Sequence, residues 1–407
     1  MPRLFYGWVV VGGAFAVLFM AYGTQYAFGV FFSALLDEFG WSRASLSGIF
    51  SLYAFLYCVI GLPAGRLTDL WGPRVVIAIG GAVLGLGLAG MSRVSALWHP
   101  YLFYGVVAAL GMSTAYVPCN ATVVKWFVRQ RGLALGVASS GGSLGTFALP
   151  PVAAALVGAV GWRWAYVLFG AGIFLILNLV ATVMRRDPEL LGLSPDGGPG
   201  LATAAGQAAA ETQWPLRMAI RTGAFWLIFG IFTATWIPVF IPLVHIVPFA
   251  RDLGMSPLVA STVLSALGIA AVVGRLVMGA VSDRIGRKPA LALVIALQAA
   301  AFLGFTLVGG LPSLYLVALG FGFSYGAVST LFPAIVGDFF GREQAGSLVG
   351  FLFALAGSMA AWGPLFAGAI YDATRAYTWA FLLSAAFNGA ALALLALAHP
   401  PRPRPAH

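Results

Sequence analysis

Two short stretches decide how this 407-residue chain is read: GRLTDLWGPR at residues 65–74 and GAVSDRIGRK at residues 279–288, the second 214 positions after the first. Gly65, Asp69, Gly72 and Arg74 are answered by Gly279, Asp283, Gly286 and the pair Arg287-Lys288. A second echo has the same spacing to within one residue, since Trp164-Ala165 recurs as Trp379-Ala380. The chain therefore reads as a duplicated unit, and each polar decapeptide is an island between long apolar runs. Glycine permits a tight turn there, while the aspartate can cap a helix or pair with an arginine.

Working outward from these islands, 61% of the chain is hydrophobic and 8% is charged, against about 25% charged in a soluble domain. A soluble globule is excluded. Runs of the length needed to cross about 30 Å of hydrocarbon lie at Trp8 to Leu36, Ser45 to Leu67, Val75 to Met91, Leu97 to Val124, Leu133 to Val160 and Trp164 to Met184. Six more lie at Ala224 to Phe249, Pro257 to Val281, Ala290 to Leu307, Tyr315 to Val336, Gly346 to Ile370 and Trp379 to Leu397. Their continuous apolar character predicts helices rather than the alternating strands of a barrel. The expected fold is an all-α membrane protein of twelve transmembrane helices, with an N-terminal six-helix bundle over residues 1–190, a linker over 191–216 rich in Gly, Pro and Ala, and a C-terminal bundle over 217–407. The first run is too long for a cleaved signal sequence.

Sorting the loops to alternate sides places sixteen of the 22 Lys and Arg residues on one side, while Arg43, Arg93, Arg163, Arg251 and Arg375 fall on the other. The excess marks the cytoplasmic side and puts both termini there, in a multi-pass protein of the plasma membrane (the inner membrane of a bacterium). In this setting the net charge of +10 is a topology signal and not a nucleic-acid footprint. Cys58 and Cys119 lie in apolar runs, which leaves neither a disulfide framework nor a metal site, and no cofactor is expected. A catalytic constellation is also missing, with His99, His245, His399 and His407 scattered, and there is no phosphate-binding loop for an ATP-driven pump.

The remaining basic residue, Arg275, falls within the eighth run. A guanidinium at that depth costs at least about 2.5 kcal/mol, so it requires a partner. All twelve acidic residues fall in loops or at span ends. Either a substrate carboxylate supplies the counter-charge to the planar fork, or Arg275 snorkels toward Asp283 or bonds to backbone carbonyls.

The two decapeptides resemble the loop signature of the major facilitator superfamily, in both halves of the chain. The resemblance implies a cytoplasmic latch made by Gly65, Asp69, Arg74, Gly279, Asp283 and Arg287. The stretch from Lys125 to Gly145, which includes Arg129, Arg131, Gly136, Ser139, Ser140, Gly141 and Gly142, is similar to the loop and fifth helix of monocarboxylate transporters and of the related oxalate/formate antiporters. Tyr6-Gly7-Trp8, Gly363-Pro364 and the segment Ala367 to Asp372 resemble the same family. In that family an arginine of the eighth helix binds the substrate carboxylate, a role the resemblance gives to Arg275. The superfamily lines its cavity with helices one, four, seven and ten, which here offer Tyr22, Gln25, Tyr26, Tyr116, Asn120, Trp236 and Tyr325.

Two departures touch proton handling. Ala271 stands where animal members carry an aspartate four residues before the arginine, and the first helix has no lysine. His245 and Asp252 are then the nearby titratable candidates, with His245 also readable as a hydrogen bonder within a helix kinked by Pro242 and Pro248. The expectation is a monomeric transport unit, partnered by lipid, that moves lactate- or pyruvate-class monocarboxylates with protons by alternating access. Carboxylate exchange is the alternative, and a non-transporting sensor stands behind both.

Overall fold

The computed structural model describes residues 5–127, 130–195, 214–341 and 345–401. Arg3, Arg129, Arg342, Arg402, Arg404, Asp196, Glu211, Glu343, His407 and most of the linker lie outside the described residues. Eleven helices among the described residues are long and apolar enough to cross a membrane. The first four are α1 Tyr6–Phe39, α2 Arg43–Trp71, α3 Pro73–Met91 and α4 Trp98–Trp126. The helical stretch that follows, Arg131–Val183, has 53 residues, about 80 Å of helix. Gly161 breaks it with non-helical backbone at φ 80°, which leaves α5 (131–160) and α6 (162–183). Then come α7 Gly223–Asp252, α8 Pro257–Ile285, α9 Arg287–Phe305, α10 Leu311–Phe340, α11 Leu348–Thr374 and α12 Thr378–Leu397.

Local chemistry sets the boundaries. The Ser42 and Thr222 side chains accept from the backbone N–H groups of Ser45 and Phe225 to cap α2 and α7, and Ser256 caps α8 ahead of Pro257. In both decapeptides the second glycine has positive φ, 80° at Gly72 and 90° at Gly286. This is the turn expected from the repeat, and only glycine adopts it without strain.

Small residues set the packing. A Cβ on Gly141 would stand 2.2 Å from the Phe15 carbonyl oxygen, and one on Gly145 would stand 2.1 Å from that of Phe19. Helices α5 and α1 therefore meet backbone to backbone, as small residues allow. In the second half Gly274, Gly322 and Gly326 bring α8 against α10 just as closely. Large apolar side chains such as Leu86, Leu179, Leu276 and Leu316 project outward, exposed, as they must where the solvent is lipid.

The first six helices meet the last six along one part of their length. Ion pairs Asp37–Arg251 and Arg43–Asp252 lie at one end. Below them come ring contacts Phe32–His245, Phe50–Phe240 and Phe55–Trp362, and the series ends at Tyr116–Phe353 and Arg275–Ser139. At the opposite end, which carries both decapeptide loops, the described pairs stay within a half: Asp69–Lys125, Lys125–Asp187, Asp283–Arg287 and Arg287–Asp338. Among the described residues, ion pairs join the halves at one end and none joins them at the loop end.

Candidate functional site

Arg275 sits on α8 where the cross-half contacts run out. Its Nη1 donates to the Ser139 carbonyl of α5 at 3.4 Å, and its Nε is buried without a partner. It does not reach toward Asp283, which pairs with Arg287 at 2.5 Å. Of the alternatives in sequence, the backbone carbonyl is realised, but through a long bond that leaves most of the fork free. Among the described residues no carboxylate forms an ion pair with it. Ala271 is 1% exposed, and its backbone packs against Gly326 of α10, so this position supplies no charge.

A chain of aromatic side chains crosses between the halves at this level. The Tyr26 and Tyr325 hydroxyls lie 3.4 Å apart across the halves, and Tyr22 packs beside Tyr26 and edge-on to Tyr116. Tyr116 stacks on Phe353 of α11, which meets Trp236 of α7 edge-on. Five of the seven cavity residues expected from sequence, Tyr22, Tyr26, Tyr116, Tyr325 and Trp236, are thus brought together, with Phe353 joining them. Asn120 instead turns its amide to the Tyr116 carbonyl of its own helix, and the Gln25 side chain is buried with both polar atoms unpartnered. Among the described residues neither makes a hydrogen bond to a side chain of the cluster. A cleft of about 470 Å³ opens at the seam of α5 with α8 and α10 among Phe147, Pro151, Thr262, Ser265 and Tyr315. It holds no charged side chain and stands apart from Arg275.

His245 and Asp252 belong to one cluster at the sealed end. Arg43 donates from Nη2 to Asp252 and from Nη1 to the Tyr377 hydroxyl, both at 2.6 Å, and its guanidinium lies 3.7 Å over the Tyr371 ring. Asp372 accepts from the backbone N–H groups of Arg43 and Ala44 at the α2 N-terminus, where a carboxylate complements the helix dipole. His245 contacts Tyr377, Ser47 and the Pro364 carbonyl. Its bonds run to other helices, not within its own kinked helix. Sequence reading treated Arg43 as a loop cation and missed Ser47, Tyr377 and Phe353. The available signal was the match of Asp37, Glu38, Asp252 and Asp372 with the five arginines placed on the same side.

A two-part helical bundle sealed at one end, with an unpaired arginine at the limit of the seal, is the architecture of a secondary transporter. The Major Facilitator Superfamily model matches residues 14–362 and 237–407. Monocarboxylate transporter 13 of Bos taurus is 31% identical over 399 residues, covering 94% of this chain and 87% of that protein. Monocarboxylate transporter 11 of Homo sapiens is 30% identical over 394 residues, covering 93% and 80%. A bacterial homolog to the human lysosomal transporter Spinster, solved inward-facing and occupied, shares the fold at a TM-score of 0.75 with 16% identity, covering 98% of this chain and 97% of that one. The nucleoside transporter NupG superposes at 0.73 with 14% identity, covering 96% and 99%. This chain belongs to the major facilitator superfamily and, within it, to the monocarboxylate transporter family. It is a multi-pass membrane transporter and not an enzyme.

Proposed function

We propose that the protein carries small monocarboxylates of the lactate and pyruvate class across the plasma membrane with protons, by alternating access, as a monomeric unit. The observation that carries this reading is Arg275: a guanidinium held by one long bond to a backbone carbonyl, its Nε buried without a partner, and no carboxylate paired to it among the described residues. A substrate carboxylate fits that fork, and the rings suit its short apolar body. The relatives' printed names support the same substrate class.

The topology follows the loop charges. With α5 and α6 counted separately at Gly161, the chain crosses twelve times and both termini are cytoplasmic. Residues 1–190 and 217–407 form the two bundles, joined by 191–216. The loop end then faces the cytoplasm, the sealed end faces outward, and the conformation is open inward. The decapeptide residues Gly65, Asp69, Arg74, Gly279, Asp283 and Arg287 meet across the halves in the opposite conformation. His245 and Asp252 are the proton-handling candidates. Exchange of carboxylates is a second reading, favoured by Ala271, because no carboxylate stands one helical turn before Arg275 and the Asp283 of the same helix is paired with Arg287. An Arg275→Lys variant tests the assignment: an ammonium keeps the charge and loses the fork, so lactate uptake into proteoliposomes should fall at least about tenfold with folding intact. Near-normal uptake would make Arg275 structural.

A further inference from the structure

The contacts of His245 fix where its proton sits. Its Nε2 is 3.0 Å from the Pro364 carbonyl oxygen, which can only accept, so Nε2 carries the hydrogen. The same nitrogen lies 3.1 Å from Ser47 Oγ, whose own hydrogen goes to the Arg43 carbonyl at 2.6 Å. Ser47 therefore presents a lone pair to the ring. On the other side, Nδ1 is 2.9 Å from the Tyr377 hydroxyl, and that oxygen already accepts from Arg43 Nη1 at 2.6 Å. The hydroxyl must then donate to Nδ1, which has a lone pair only when the imidazole is neutral. Every donor from Arg43 through Tyr377 and His245 to Pro364 and Ser47 has its acceptor.

A proton added at Nδ1 breaks this chain. Nδ1–H and the Arg43 N–H then point at one oxygen, and the Tyr377 hydrogen loses its acceptor among the rings of Phe249, Phe381 and Tyr371. The groups facing the ring offer no ready substitute. Helix α1 contributes Phe32, α2 contributes Arg43 and Ser47, and α7 itself carries Asp252 on the Arg43 guanidinium. Helix α11 ends in Tyr371 beneath Arg43 and Asp372 on the α2 amides, and α12 is preceded by Tyr377. Both carboxylates are committed, and an unpaired buried donor is costly.

We infer that Tyr377, held by Arg43, reads the protonation of His245, so that the outer end closes only over a neutral imidazole. Resting on the transport reading above, this sets an order of events: a proton taken up at His245 from outside leaves it before the outer end shuts. It also makes external acid hold that end open. If closure requires release of one proton, the ratio of open to closed molecules rises by about tenfold for each pH unit below the histidine's titration point.

The experiment is a distance measurement that needs no substrate. Spin labels at Arg93→Cys and Leu307→Cys, two exposed positions at the outer end of the two halves, are introduced with Cys58→Ala and Cys119→Ala in lipid nanodiscs. Pulsed dipolar spectra are then recorded from about pH 8 to about pH 5, a range in which histidine titrates. The expected result is one short distance at high pH and a growing longer distance in acid. Tyr377→Phe, which keeps the ring and removes the hydroxyl, should weaken that response at least about threefold. His245→Phe should abolish it. A distribution that ignores pH, or a response that survives His245→Phe, overturns the inference. Uptake assays on the same variants reconstituted in proteoliposomes judge the transport reading separately: pH-driven opening without monocarboxylate uptake would sink that reading and leave the gate standing, and proton-coupled uptake without opening would do the reverse.

Discussion

Replacing Arg43 by glutamine should tip the protein toward its outward-open conformation. Arg43 is 7% exposed and ties three parts of the second half to α2: Asp252 and the Tyr377 hydroxyl, each at 2.6 Å, and the Tyr371 ring at 3.7 Å. Breaking a buried, hydrogen-bonded charge pair costs about 3 to 5 kcal/mol, and Asp252, with a third of its side chain exposed, places the loss at the lower end. A cation–π contact adds about 0.5 to 1 kcal/mol. On the alternating-access reading proposed above these contacts form only with this end closed, so nearly all of the loss shifts the conformational equilibrium. A change of about 3 kcal/mol shifts it by roughly 150-fold. The readout is Ser51→Cys in a Cys58→Ala, Cys119→Ala background. Ser51 is buried one turn below Ser47 on the same helix, and a membrane-impermeant thiol reagent added outside reaches it only when the outer end opens. With Arg43→Gln the labelling rate should rise at least about tenfold, because the rate follows the open population. An unchanged rate in a variant that still melts cooperatively would refute the view that this cluster seals the outer end.

Other consequences follow from the same contacts. Gly145→Leu should lower the melting temperature strongly and cost at least about 3 kcal/mol, since its Cβ would meet the Phe19 carbonyl at 2.1 Å; Gly136→Leu, with open space around it, should melt within a few degrees of the parent. A dicarboxylate such as oxalate or succinate should compete at least about tenfold less well than lactate, because one guanidinium leaves its second charge uncompensated in a low-dielectric site. Equal competition would favour the exchanger reading.

The fold was legible where one residue type has one physical meaning. Apolar runs of bilayer length can only be helices, and the paired glycines of the decapeptides announced turns that appear with positive φ at Gly72 and Gly286. The single break at Gly161 was equally readable, since sequence reading ended one span at Val160 and began the next at Trp164. Arg275 stood out because a lone guanidinium at depth has few bland explanations. What sequence could not give is which polar side chains face one another. Gln25 and Tyr26 are neighbours in α1, yet Tyr26 reaches Tyr325 while Gln25 is buried without a partner; a helical rotation of about 100° separates the two fates. Arg43 and His245 lie 202 positions apart, and only the meeting of the halves joins them through Tyr377. The close approach of α10 to the Ala271 backbone at Gly326 is likewise a property of the packing.

Proton symport is tested most directly by separating the pH gradient from the membrane potential during lactate uptake. In proteoliposomes with valinomycin and potassium setting the potential, electroneutral carriage of one proton with one monoanion predicts uptake that tracks an inward proton gradient and ignores the potential. An uncompensated anion would instead feel about 2.3 kcal/mol for each 100 mV. Uptake that follows the potential, or that proceeds only with carboxylate loaded on the opposite side, would contradict symport.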